Sequence, residues 1–82
     1  MQLYDIQLVV TEEIKKLLSL DREIELSEGL ENIGLDSRNT MKLVVLIESI
    51  FGFEFDDEDL VDDEILFNVF NVSEFIFKKI NG

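Results

Sequence analysis

Eighty-two residues suffice for one small domain with a single core, and the absence of cysteine and histidine excludes disulfides, Cys/His metal sites and any catalysis that needs an imidazole base. Carboxylates, hydroxyls and seven lysines and arginines remain, with no adjacent base to activate a serine, so the composition argues against an enzyme. The formal charge of −12 repels nucleic acid and anionic lipid and favours basic partners, while 46% hydrophobic residues supply enough apolar surface to fold.

Leu3, Ile6, Val10, Ile14, Leu17 and Leu18 recur at helical spacing, which predicts a first amphipathic helix over residues 3–18 with Glu12 and Lys16 as an i,i+4 pair on its wet side. Acidic residues are mixed into this segment, and it lacks the cationic start and unbroken apolar run of a signal peptide. From Ser19 to Asp36 the periodicity fails. Ser27, Gly29, Asn32 and Gly34 interrupt an acidic stretch, and the expectation is a long loop pinned by Leu26, Leu30, Ile33 and Leu35.

A second helix is predicted from Ser37 to Phe51, with apolar face Leu43, Leu46, Ile47, Ile50 and Phe51 and with Gly52 at its left-handed C′ position. Phe53 and Phe55 then alternate inward. Eight acidic residues fall between Glu54 and Glu64, and Asp56 or Asp57 is placed to cap a short third helix containing Leu60 and Val61. In the last segment Asn71 and Glu74 are spaced as a capping box, with Phe70 and Phe75 as its hydrophobic staple. Val72, Phe75, Ile76 and Ile80 would form the buried stripe of this final helix, and Lys78 and Lys79 suit its negative end. The sum is an all-α fold: a small four-helix bundle of three main helices and a short third one, in one domain over residues 1–82. No stretch has the length of a membrane span, so a cytoplasmic monomer is expected.

Ser37 admits two readings. Its hydroxyl caps the second helix, or Asp36 is the cap and Ser37 stands at the first helical position with its hydroxyl exposed, where the helix N-terminus favours an attached anion. The segment GLDSRNTMKLVVLIESIFGFEFDDEDL resembles the central motif of the acyl carrier and peptidyl carrier protein family: Gly-X-Asp-Ser-Leu, an apolar helix ending near Phe-Gly, then an acidic third-helix region. The resemblance implies that a phosphopantetheinyl transferase attaches 4′-phosphopantetheine from coenzyme A to Ser37, with Asp36 as its motif partner. The arm's thiol would then carry an acyl or aminoacyl group as a thioester. The protein would thus be a substrate of the transferase and not itself an enzyme, and the missing cysteine, histidine and base are accounted for by a thiol and an activating enzyme supplied from outside.

Further partners implied by the resemblance are an acyl- or aminoacyl-loading ligase and downstream synthase enzymes, which read the second helix at the positions of Arg38, Met41, Lys42 and Val45. By spacing alone, Met41 and Val45 are equally ordinary core residues. Arg38 stands where the family usually has Leu. With Lys42 beside it, the second helix lacks the acidic surface of fatty-acid carriers, and ILFNVFNVSEFI looks more like polyketide and nonribosomal peptide carriers. The expectation is therefore a stand-alone carrier of a specialised pathway, against the alternatives of a fatty-acid carrier or an unmodified acidic interaction module with the same fold. The acidic run lacks the glycine and ligand order of an EF-hand, and no metal is expected. Phe67 and Phe77 fall off the tidy stripe; they either line a pocket for the carried group or complete an aromatic core, and core is the preferred assignment.

Overall fold

The computed structural model describes all residues from Met1 to Gly82. Helix α1 spans Leu3–Leu18, α2 Ser37–Phe51, α3 Asp57–Leu60 and α4 Val69–Asn81, with a single 3₁₀ turn at Leu30–Ile33 inside the long loop. There are no strands. No helix is long and apolar enough to cross a membrane.

Helix α1 packs against both α4 and α2 and is the centre of the bundle. Ile6, Val10 and Ile14 bury one stripe of α1 at i,i+4 spacing, meeting a core that includes Leu43, Val44 and Ile47 from α2 and Val69, Val72 and Ile76 from α4. Each aliphatic side chain so buried contributes about 1.5–3 kcal/mol. In α2 the buried stripe is narrower than its apolar sequence, because Val44 faces inward while Ile50 is exposed and Leu46 and Phe51 are half-buried. The pair expected between Glu12 and Lys16 does not form; the neighbouring Lys15 ammonium instead meets Glu23 at 3.6 Å, tying α1 to the loop.

The chain leaves α1 through Ser19, which takes a left-handed conformation at φ 55° while the Leu20 N–H donates to the Lys15 carbonyl at 2.9 Å. Beyond it the loop is ordered by three kinds of tie. Ile24, Leu30 and Leu35 are buried, whereas Leu26, expected as an anchor, is exposed, and Ile33 is half-buried. Arg22 grips Glu28 through two hydrogen bonds of 3.2 and 2.7 Å. The Leu30 N–H donates to the Phe67 carbonyl at 2.8 Å, and the Phe70 N–H to the Leu26 carbonyl at 3.1 Å, stapling the loop to the approach of α4.

Gly52 ends α2 at φ 74°, and the Glu48 carboxylate accepts the Phe55 N–H at 2.8 Å. This turn directs Phe55 into the core, where its ring stacks on Phe75 at 5.0 Å and Phe53 meets Phe75 edge-on. Helix α3 is a single turn whose start is closed by Asp59 accepting the Asp56 N–H at 2.9 Å, and Val61 is the exposed residue that ends it and not a member. Lys79 of α4 reaches Asp56 and Asp59 at 3.6 and 3.7 Å and lies 5.4 Å from the Phe75 ring centre, so one cation holds α3 against α4.

Helix α4 begins earlier than its local signature indicates. Asn68 is the cap, accepting the Asn71 N–H at 2.7 Å, and the expected box of Asn71 with Glu74 is not formed. Instead the Asn71 side chain donates to the Glu64 carbonyl at 2.8 Å, and Phe70, assigned to a staple, is exposed. The earlier start puts Val69 fully inside the core at no loss of capping, since Asn68 is the same residue type as Asn71, and the added aliphatic burial decides between them.

Candidate attachment site at the start of α2

Helix α2 opens with Asp36 as its cap and Ser37 as its first residue. The Asp36 carboxylate accepts the Asn39 N–H at 2.8 Å, and the Asp36 carbonyl accepts the Thr40 hydroxyl at 2.7 Å and the Thr40 N–H at 2.8 Å. The capping duty therefore belongs to Asp36. The Ser37 hydroxyl makes no hydrogen bond within the chain and Ser37 is exposed, so the second of the two sequence readings is the one that the fold adopts. The N–H groups of Ser37 and Arg38 also lack partners in the chain. This helix end thus presents a free hydroxyl and two free donors on the positive side of a 15-residue dipole.

What places Ser37 there is the segment before it. The 3₁₀ turn closes on Gly34 at φ 115°, a conformation that L side chains rarely adopt, and the Leu35 N–H donates back to the Leu30 carbonyl at 3.0 Å. Leu35 is then driven into the core and Asp36 emerges extended, ready to cap. Along Gly34-Leu35-Asp36-Ser37 the four residues divide the geometry among them, as left-handed turn, core anchor, cap and exposed hydroxyl in that order.

Arg38, Met41, Lys42 and Val45 share the outward face of α2. Met41 and Val45 are 51% and 60% exposed, which decides against their being core. Arg38 and Lys42 are exposed and form no ion pair, although the chain is strongly acidic. The face is apolar with two cationic positions, and no carboxylate lies between Ser37 and Ile47 along the helix.

Beside Ser37 lies an open depression of about 500 Å³ bordered by Leu35, Asp36, Thr40, Met41 and Leu60. A second, of about 350 Å³, shares Glu31, Leu35, Thr40 and Leu60 with the first and extends to Leu66 and Phe67. Phe67, assigned to the core by sequence, is instead 52% exposed and lines this groove, because its backbone carbonyl is held by the loop while its side chain is directed away from the helices' shared interior. Phe77 is half-buried against the core. Nothing in the sequence pattern brings Glu31, Leu60 and Phe67 together; they converge only because the loop, α3 and the approach to α4 meet at the start of α2.

The family described as the phosphopantetheine attachment site matches residues 9–65, which is more than half of the chain and includes all of α2. No curated protein and no solved structure matches. On the strength of that match and of an all-helical fold to suit it, the chain belongs to the phosphopantetheine attachment site family and is a carrier protein that bears a covalent 4′-phosphopantetheine group.

Proposed function

We propose that Ser37 is the residue that bears the arm, and that the loaded protein carries acyl or aminoacyl groups as thioesters in a specialised pathway of polyketide or nonribosomal peptide type. The observation that carries the assignment is the free Ser37 hydroxyl. Four serines fall within the matched residues, and the other three are worse placed: Ser19 is in the left-handed turn that ends α1, Ser27 is in the stapled loop, and Ser49 is near the carboxyl end of α2, where the dipole opposes an anion. At Ser37 a phosphodiester would meet two free N–H groups and the positive helix end, a setting that favours an anion by about 0.3–1 kcal/mol. The adjoining depression leaves room for the arm on the same side.

In the attachment step, the Ser37 oxygen bonds to the phosphorus that bears the pantetheine in coenzyme A. The bridging P–O bond of the pyrophosphate breaks, 3′-phosphoadenosine 5′-phosphate leaves, and the hydroxyl proton passes to a base on the transferase. The chain needs no base of its own. Asp36 serves the step by capping the helix and so keeping the hydroxyl free, and by presenting a carboxylate beside it to the transferase. The bound group supplies the thiol on which acyl and aminoacyl groups are held.

The partner enzymes would dock on Arg38, Met41, Lys42 and Val45. Apolar Met41 and Val45 suit a groove, and the two cations select partners that present acid and reject those with basic patches, which is the physical reason for preferring a specialised pathway over fatty-acid synthesis. Incubation with coenzyme A and a broad-specificity phosphopantetheinyl transferase is expected to add one arm's mass to the wild type and none to Ser37→Ala. An unchanged wild-type mass while a control carrier is loaded, or an arm mapped to Ser19, Ser27 or Ser49, would overturn the assignment.

A further inference from the structure

We propose that the uncovered side of α1, together with the loop at Leu26, is a second docking surface, and that it receives a basic amphipathic helix of a partner protein. The inference does not depend on Ser37, because no residue of this surface belongs to the attachment site, to its adjoining depressions or to the outward face of α2. Ile6, Val10 and Ile14 turn one stripe of α1 into the core, which leaves Tyr4 and Leu8, one turn apart, uncovered on another side of the helix at 67% and 49% exposure. Leu26 joins them from the loop. Its carbonyl accepts the Phe70 N–H at 3.1 Å, so the patch is fixed by α1 on one side and by a stapled loop on the other.

Tyr4, Leu8 and Leu26 border one depression of about 250 Å³. That is smaller than the roughly 300–1,000 Å³ of sites that enclose a small molecule, and it suits apolar side chains presented by another surface. A second copy, a membrane and a partner protein all compete for an apolar patch of this kind, and charge separates them. Glu12 and Glu23 stand on its edge, and no lysine or arginine lines it. Lys15 approaches Glu23 at 3.6 Å, yet the Glu23 side chain is 93% exposed and open to a partner. A second copy would bring the same carboxylate edge against its own in a chain of net charge −12, and an anionic membrane is repelled for the same reason. A helix with an apolar stripe flanked by lysine or arginine gains both the patch and the edge.

The test uses as probe a synthetic helical peptide with leucines at i, i+3, i+4 and i+7 and arginines on the flanks, titrated into the full-length ¹⁵N-labelled protein. Backbone ¹H–¹⁵N shifts are expected to move at Tyr4, Leu8, Thr11 and Leu26 and not along α2, equally in the wild type, in Ser37→Ala and in the protein bearing the arm. Tyr4→Ala/Leu8→Ala should weaken binding about tenfold or more while leaving the rest of the amide spectrum in place, and high salt should weaken it too. A peptide with the same stripe and glutamates on its flanks, and a scrambled peptide of the same composition, should leave these amides unmoved. No shift with the basic peptide, shifts centred on α2, binding that survives the double substitution, or equal binding of the scrambled peptide would overturn the inference. So would dimerisation in sedimentation that Tyr4→Ala/Leu8→Ala abolishes, or binding of phosphatidylglycerol vesicles to this face. Failure of arm attachment would leave it standing.

Discussion

Asp36 and Asn39 are joined by a 2.8 Å hydrogen bond from the Asn39 N–H to the Asp36 carboxylate, and this bond is what relieves Ser37 of any structural role. The two residues of the Asp-Ser pair should therefore separate cleanly in experiment. Ser37→Ala is expected to leave the melting temperature essentially unchanged while abolishing arm attachment. Asp36→Ala loses the cap and should cost about 1 kcal/mol, a fall of roughly 4–8 °C for a domain of this size. Thermal unfolding and intact mass on the same samples read both effects; an equal loss of stability in Ser37→Ala would show that the hydroxyl shares the capping.

Reversing the exposed cations of α2 tests the docking face. Arg38→Glu/Lys42→Glu is expected to change which ligases and synthases accept the protein with a stability change within about 0.5 kcal/mol, since neither side chain is paired. Competition assays of loading by several partner enzymes would measure it. Indifference of every partner to the reversal would remove this face from recognition.

Ser73 points its hydroxyl into the core from α4, fully buried and without a hydrogen-bond partner. Ser73→Ala removes the unsatisfied group and improves helix propensity, so denaturant unfolding should show a gain of about 1 kcal/mol. A loss of stability would mean that the hydroxyl bonds a carbonyl of the preceding turn in solution.

Acid should loosen the long loop. The hydrogen bond from Arg22 holds the Glu28 carboxyl below its ordinary pKa, so the folded state keeps Glu28 ionised to lower pH than the unfolded chain does. The stabilisation is complete above the unfolded value of about 4.3 and is lost as pH falls through the lower folded value. Glu28→Gln is expected to weaken protection of the loop amides near neutral pH and to remove this part of their acid dependence. Hydrogen exchange of Ile24 to Leu30 across that range would check it, and identical profiles for the two proteins would exclude the pair as a loop clasp.

The limits of helices α1 and α2 were legible because each is bounded by strong local chemistry: periodic aliphatics along the helix, an Asp-Ser start for α2, and Gly52 free to turn left-handed after it. Helix α4 shows where that reasoning stops. Asn71 and Glu74 carry a good local cap, yet the helix starts at Val69, because Asn68 caps equally well and lets Val69 join the core. The same holds for the loop, where Leu26 and Ile24 are both apolar and the fold buries Ile24 alone.

The amino-acid sequence by itself determined the class of molecule: a small acidic helical domain without its own thiol or imidazole, marked by Gly34-Leu35-Asp36-Ser37 before an apolar helix. Those are properties of composition and of neighbours along the chain. Tertiary structure alone decided that Asp36 takes the cap and Ser37 is left free, that Met41 and Val45 face solvent, and that Phe67 leaves the core to join Leu60, Glu31 and Asp63 in one groove. The reason is physical: helical periodicity says which residues share a face, but which face is covered depends on where α1, the loop and α4 pack, and residues far apart in the chain meet only once that packing is made.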